Sequence, residues 1–154
     1  MTHEEIIIDF YTCFKNGDAE GMVKHYADNI TFEDPAFGIL EGSEAKNMWR
    51  MLLSRATDLS ITFSEVWVDG NKGGAHWEAQ YTFSKTGRRV HNKIDAEFTF
   101  EQGKIISHQD HFNFWKWSQM ALGPFGLFFG YTPIVKNKVR TTVKKALKAY
   151  SQAQ

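Results

Sequence analysis

A single cysteine, Cys13, excludes an internal disulfide and suits a reducing compartment. The 154 residues contain no glycine-rich phosphate loop, no nucleophile elbow and no zinc-ligand spacing, so three common routes to catalysis have no carrier here. The N-terminus, MTHEEIIIDF, places acids where a signal peptide needs bases, and its apolar run is too short for an h-region. A cytoplasmic protein is expected. Bases of the first 117 residues are scattered over polar faces, which argues against nucleic acid as a partner. Acids are missing after Asp110: the first 110 residues carry 18 acids against 11 bases, and the remainder carries seven bases alone. The tail is therefore a separate electrostatic problem.

Aromatic residues are abundant, with 13 Phe, 5 Trp and 5 Tyr, so rings line a core or a cavity. Thr2 and Glu5 form a capping box, and Ile7, Phe10, Tyr11 and Phe14 recur at helical spacing, which predicts a helix over 3–15 ended by Asn16-Gly17. Asp18 caps a short second helix with Ala19, Met22, Val23 and Tyr26 on one side. Residues 29–34 alternate, with Ile30, Phe32 and Asp34 sharing a face until Pro35 stops the strand. Ser43 is the expected cap of a third helix, whose Ala45, Met48, Trp49, Leu52, Leu53 and Ala56 follow the 3.6-residue period.

From Asp58 the period becomes two. A strand through Leu59, Ile61 and Phe63 reaches Trp67 across a bulge near Glu65-Val66, and a turn follows at 69–74. The next strand sets Trp77, Ala79, Tyr81 and Phe83 against His76, Glu78 and Gln80. After a Thr86-Gly87 turn, Val90, Asn92, Ile94, Ala96, Phe98 and Phe100 share a face. A last strand, GKIISHQDHFNF, places Ile106, His108, Asp110, Phe112 and Phe114 together. Asp110 thus lies among hydrophobes, where a carboxylate is costly unless hydrogen-bonded, paired or protonated. Asp34 repeats this oddity nearer a strand end, where a turn or cap before Pro35 is the competing reading. His108, on the face of Asp110, is a proton partner or a satisfied core histidine. No HxxxH or comparable spacing joins the three into a metal site, and no cofactor is expected.

The element order, the HYADNITFEDPAFG segment followed by Gly42 and a helix, and FTFEQGKIISHQDHF near the end resemble the nuclear transport factor 2-like superfamily over roughly residues 3–117. That group includes ketosteroid isomerases, limonene-epoxide hydrolases, SnoaL-type polyketide cyclases and members without catalysis. The resemblance implies an α+β fold, a cone-shaped curved and mainly antiparallel sheet wrapped around three N-terminal helices, with an added C-terminal helix. Two units are expected: the resembling domain over 1–117 and, beyond the resemblance and read from its own residues, an aromatic loop with a basic amphipathic helix over 118–154. The general base of the isomerases falls on Asp34 in Glu-Asp-Pro. The water-binding Asn of the epoxide hydrolases falls there too, with Phe32 in place of a neighbouring Tyr. The catalytic Asp on the last strand of the hydrolases and cyclases falls on Asp110. The departures are as informative: the isomerase oxyanion-hole Tyr and Asp read as Phe10 and Ala96, with Tyr11 and Asp95 one residue away, and the hydrolase Arg and Asp read as Ala79 and Tyr81. Neither mechanism transfers whole.

The expected function is a small-molecule enzyme in which Asp110, Asp34 and His108 handle protons, with Phe32, Trp49, Trp77, Tyr81, Phe112 and Tyr11 as walls for a small hydrophobic ligand. Isomerisation, cyclisation or hydration of a hydrophobic ring or polyketide-like compound fits this set. The alternative is a non-catalytic lipophile-binding or protein-association module with structural aspartates. A homodimer through the polar outer sheet face is expected. Residues 117–135 carry no charge, but Gly123, Pro124, Gly126, Gly130 and Pro133 break any spanning helix. Beyond them, Val135, Val139, Thr142, Val143, Ala146 and Tyr150 form a stripe among lysines. The tail is an extra helix with Phe125, Leu127, Phe128 and Phe129 closing the pocket mouth, or a peripheral membrane contact through 122–150.

Overall fold

The computed structural model describes residues 1–154. The first helix, α1 (His3–Lys15), opens with the reciprocal capping box: the Thr2 hydroxyl accepts from the Glu5 amide at 3.1 Å and Glu5 Oε1 accepts from the Thr2 amide at 3.0 Å. Its apolar stripe, Ile6, Ile7, Phe10, Tyr11 and Phe14, is buried. The short α2 (Ala19–Val23) is capped by Asp18 and stops before Tyr26, which begins strand β1 (Tyr26–Asp34). Four residues, Gly38–Glu41, form a strand, β2, that is too short for its alternation to stand out in the sequence. Helix α3 (Ser43–Arg55) follows directly. Its cap is Gly42 at φ 58°, without a side-chain hydrogen bond, so Ser43 is the first helical residue rather than the cap.

The remaining strands are β3 (Ser60–Asp69), β4 (Lys72–Phe83), β5 (Arg88–Glu101) and β6 (Lys104–His111). They build one six-stranded sheet in the order β2-β1-β6-β5-β4-β3, antiparallel throughout except for the parallel β1–β6 pair. The expected bulge in β3 falls between Ser64 and Trp67, with Glu65 at φ 55°. The β3–β4 turn is tighter than 69–74, because Lys72, Gly73 and Gly74 already pair with β5. A side chain at Gly73 would meet Ile7 Cδ1 at 2.8 Å, and one at Gly74 would meet the Trp67 ring, so the glycines serve close packing inside the strand.

A second irregularity shifts the last strand. Phe100 pairs with Ile105 and Thr99 with Ser107, which makes Ile106 an extra residue. Ile105 is therefore the buried core residue and Ile106 is half-buried, whereas His108 and Asp110 keep the inward face expected of them. The strand ends at His111. Asn113 caps α4 (Phe114–Leu122) by accepting from the Lys116 amide at 3.0 Å, so Phe114 enters the core from a helix and Phe112 from the connection. The aromatic stretch beyond is helical rather than a loop: α4 is followed by α5 (Pro124–Phe129) and α6 (Pro133–Gln152).

The main core holds 26 buried residues between the concave sheet face and α1–α3, and a second cluster joins Val90, Phe114, Trp117, Ala121 and Val135. Tyr81 and Phe112 pack against both. Leu147 of α6, beside the expected stripe, is fully buried in the main core, with Val143, Ala146 and Tyr150 against it. Because α6 contributes a core leucine, Leu147→Ala is expected to lower unfolding stability by about 2–5 kcal/mol, read as a lowered urea midpoint at constant slope.

Candidate functional site

The parallel pairing of β1 with β6 sets Phe32 beside His108, and the β5–β6 ladder sets Ala96 beside Asp110. Small residues at Ala96, and at Ala79 on β4, leave room for the larger rings around them. Five side chains form a continuous hydrogen-bonded chain through this interior. The Trp49 indole donates to the Tyr26 hydroxyl at 2.8 Å; that hydroxyl is 2.6 Å from His108 Nδ1; His108 Nε2 is 3.0 Å from Asp110 Oδ1; and the Trp77 indole donates to the same oxygen at 3.2 Å. All five residues are buried, His108 completely and Asp110 to 4% exposure.

The assignment that uses every donor has Tyr26 accepting from Trp49 and donating its O–H to His108 Nδ1, with the imidazole proton on Nε2 donated to Asp110. In this neutral tautomer every donor is used. Asp110 Oδ1 then accepts two N–H groups, while Oδ2 receives no donor from the protein. Rings enclose the chain: the His108 ring stacks on Trp49 at 6.0 Å between centroids and meets Phe32, Phe10 and Phe98 at 5.1, 5.6 and 4.4 Å.

Asp34 lies at the end of β1, where the sequence places it, and its carboxyl is strongly perturbed there. Burial pushes its pKa up to about 7; hydrogen bonds from the Phe37 amide, at 2.6 Å, and the Ala36 amide oppose this, and the negative charge of Asp110 adds to it. Arg140 of α6 also lowers it, yet binds elsewhere: Nη2 donates to the Pro35 carbonyl at 3.1 Å, and the buried Nε has no partner. Asp34 thus makes a turn, as one reading of Asp-Pro expects, and carries an unusual proton affinity as well.

The structure brings Asp110 and His108 into direct contact and sets Asp34 within electrostatic reach of Asp110. Of the expected ligand walls, Phe32, Trp49 and Trp77 are buried parts of this network, and Tyr11 is fully buried with a hydroxyl that has no partner. Burial raises the Tyr11 phenol well above its ordinary pKa, with the charges of Asp110 and Tyr26 adding. Tyr81 and Phe112 are half-buried; the Tyr81 hydroxyl accepts from Trp117 at 2.8 Å and feels the charge of Asp34. Two contributors escape the sequence reading. Tyr26 has the same parity as Phe32 and Asp34, a usable signal that exposed Asp28 interrupts, and Arg140 lies on a helix far along the chain. Phe125, Leu127, Phe128 and Phe129, the expected residues of the pocket mouth, are all exposed. Neither the depression along α6 nor the one beside Ala27–Asn29 is lined by Asp34 or Asp110. No cluster of three or more His, Cys, Asp or Glu is arranged to hold a metal.

This curved sheet with its N-terminal helices is the fold of the nuclear transport factor 2-like proteins, and the SnoaL-like domain model matches residues 7–108. The chain belongs to the SnoaL-like family. Among solved structures it is similar to a Catenulispora acidiphila protein with a ketosteroid isomerase-like fold, in complex with trimethylamine (TM-score 0.68, 14% identity, 80% of this chain and 96% of that one). It is also similar to a Pseudomonas putida protein provisionally called a polyketide cyclase (TM-score 0.65, 16% identity, 79% and 98%). A Mesorhizobium loti protein provisionally called a SnoaL-like polyketide cyclase gives a TM-score of 0.61 at 24% identity over 72% and 99% of the two chains. At these identities the likeness shows the fold alone. No curated protein matches the chain.

The raised Asp34 pKa has a stability consequence. Between the unfolded value of 3.8 and about 7, the folded protein keeps a proton that the unfolded chain has lost, so this group makes stability fall as pH rises through that window, and the penalty is complete above about 7. Asp34→Asn keeps an acceptor for the Phe37 amide and is neutral throughout. Urea unfolding should therefore find the variant and the parent alike near pH 4, and the variant more stable by a few kcal/mol above pH 7.

Proposed function

We propose that the protein is an acid/base enzyme of the isomerase or cyclase type acting on a hydrophobic ring or polyketide-like compound. The observation that carries this reading is the pair of inward carboxyls in unlike environments. Asp34, with a pKa of about 7, exchanges a proton near neutral pH, while Asp110 is held by Trp77 and by the His108–Tyr26–Trp49 chain with Oδ2 unclaimed. In this assignment Asp34 takes a proton from carbon next to a carbonyl and returns it to another atom. Asp110 and His108 orient the substrate through Oδ2, and Tyr81, Phe112 and Tyr11 border the ligand beside the buried Phe32, Trp49 and Trp77. The matching SnoaL-like domain and the polyketide cyclase descriptions of two similar structures support the substrate class. Hydration of an epoxide-like ring fits the same two carboxyls less well, because Ala79 and Tyr81 stand where its partners would be needed.

The binding-module reading draws on a specific observation: Asp110 Oδ1 and His108 are already satisfied within the core, as structural groups would be. Proton exchange separates the two. In D2O, the protein is expected to accelerate deuterium incorporation beside the carbonyl of a hydrophobic bicyclic ketone, with Asp34→Asn slowing it by about 10²–10⁴ while ketone affinity is retained. Absence of any exchange across a panel of such ketones, with affinity unchanged in Asp34→Asn and Asp110→Asn, would favour the binding module.

A cytoplasmic homodimer completes the proposal. The single cysteine is free. On the outer sheet face, His76 joins Asp95 at 2.9 Å and Glu78 at 2.8 Å, and His91 joins Glu78 at 2.6 Å, which suits a wet interface. Sedimentation at micromolar concentration is expected to show the dimer; a monomer counts against it.

A further inference from the structure

Helices α4 and α5 and the start of α6 form an apolar tip with nothing packed on it. Phe125 and Phe129 stack at 5.2 Å, Trp115 meets Tyr131 edge-on at 6.2 Å, and the Trp115 indole ties the two groups by donating to the Leu127 carbonyl at 3.1 Å. All four rings are exposed, Trp115 at 41% the least so, and Phe128, at 65%, and Ile134, at 79%, are more exposed than most of them. Scattered exposed apolar residues need no explanation, but a contiguous uncharged aromatic surface does.

The charge beside it identifies the occupant. Ile134 shares one face of α6 with Lys138, Lys145 and Lys148, at helical spacings of four, seven and three residues, so the apolar tip runs directly into a basic stripe. All three lysines are exposed and none is paired with an acid; Lys116 and Lys144 extend the positive surface and are likewise unpaired. No acid occurs anywhere in 111–154. A second copy docking this surface on itself would bring lysine to lysine. A bilayer with anionic headgroups complements both parts, since rings insert at the headgroup level and lysines lie on the charged plane. No helix is long and apolar enough to cross a membrane, so the contact is peripheral.

We infer that the α4–α6 surface is a docking site for an anionic lipid bilayer, with Phe125, Phe128 and Phe129 inserted and Lys138, Lys145 and Lys148 on the headgroups. This is independent of the proposed chemistry. The placement is physically sensible for it as well, because α6 also carries Arg140, which covers the Pro35 end of the site next to Asp34.

Co-sedimentation with phosphatidylcholine vesicles containing about one third phosphatidylserine tests it on the full chain, against phosphatidylcholine alone. The expected result is binding to the anionic vesicles only, weakened at least about tenfold between roughly 0.05 M and 0.5 M salt. Phe128→Ser with Phe129→Ser, and separately Lys138→Glu with Lys145→Glu, should each reduce binding by more than about tenfold. All four side chains are outside the core, so far-UV circular dichroism and melting temperature should match the parent. No binding at low salt overturns the inference. Binding that survives loss of the phenylalanines overturns the insertion and leaves surface adsorption. A concentration-dependent oligomer that the phenylalanine variant abolishes, without vesicle binding, assigns the tip to a second copy instead.

Discussion

The buried hydrogen-bonded chain from Trp49 through Tyr26, His108 and Asp110 to Trp77 is the constraint on which the interior depends. A histidine and a carboxylate fully inside an aromatic core are tolerable only if their donors and acceptors are matched, because an unmatched buried group costs about 1–3 kcal/mol. Matching them requires α3, β1, β6 and β4 to be placed to within a hydrogen-bond length of one another. The parallel β1–β6 pair puts Phe32 beside His108, and β5 lies between β6 and β4 so that Trp77 reaches across the concave face to Asp110. An apolar core could tolerate a small slip of these elements. This one cannot without orphaning a polar atom.

The same interior divides the two carboxyls. Asp110 has two indole and imidazole donors on one oxygen; Asp34 has backbone amides that do not offset its burial, and the negative charge of Asp110 disfavours its ionised form further. Burial and the neighbouring charge raise the proton affinity of Asp34, and such tuning of a carboxyl toward neutrality is a usual physical route to acid and base work on a scaffold. The orphan hydroxyl of Tyr11 and the unpartnered Nε of Arg140 belong to this region, and both are groups that a bound ligand could satisfy.

The C-terminal segment joins two behaviours that its composition alone does not separate. One side of α6 buries Val135 and Leu147 and carries Arg140 to the Pro35 carbonyl; the other presents lysines that pair with nothing. Gly126 and Gly130 explain how the short α5 folds back tightly: a Cβ at either position would collide with Ser118 of α4. With the glycines against Ser118, the intervening Leu127, Phe128 and Phe129 are turned outward.

What the sequence determined by itself was local. Alternation and helical period, the Thr2–Glu5 box, the Asp18 cap, the bulge before Trp67 and the inward faces of β4 and β5 follow from side chains a few residues apart, and so did the isolation of Asp34 and Asp110 among hydrophobes. Tertiary structure decided what depends on distant partners. The four-residue β2 exists because β1 offers it an edge, and Gly73-Gly74 are strand rather than turn because Ile7 and Trp67 fill the space beside them. The extra residue Ile106 exchanged the roles of Ile105 and Ile106, since a one-residue bulge reverses a face without changing the amino-acid pattern. Tyr26 and Arg140 became neighbours of the site only through pairing and packing across 82 and 105 positions of chain. Hydrogen-bond partners and desolvation are properties of a three-dimensional surrounding, and no window of sequence contains one.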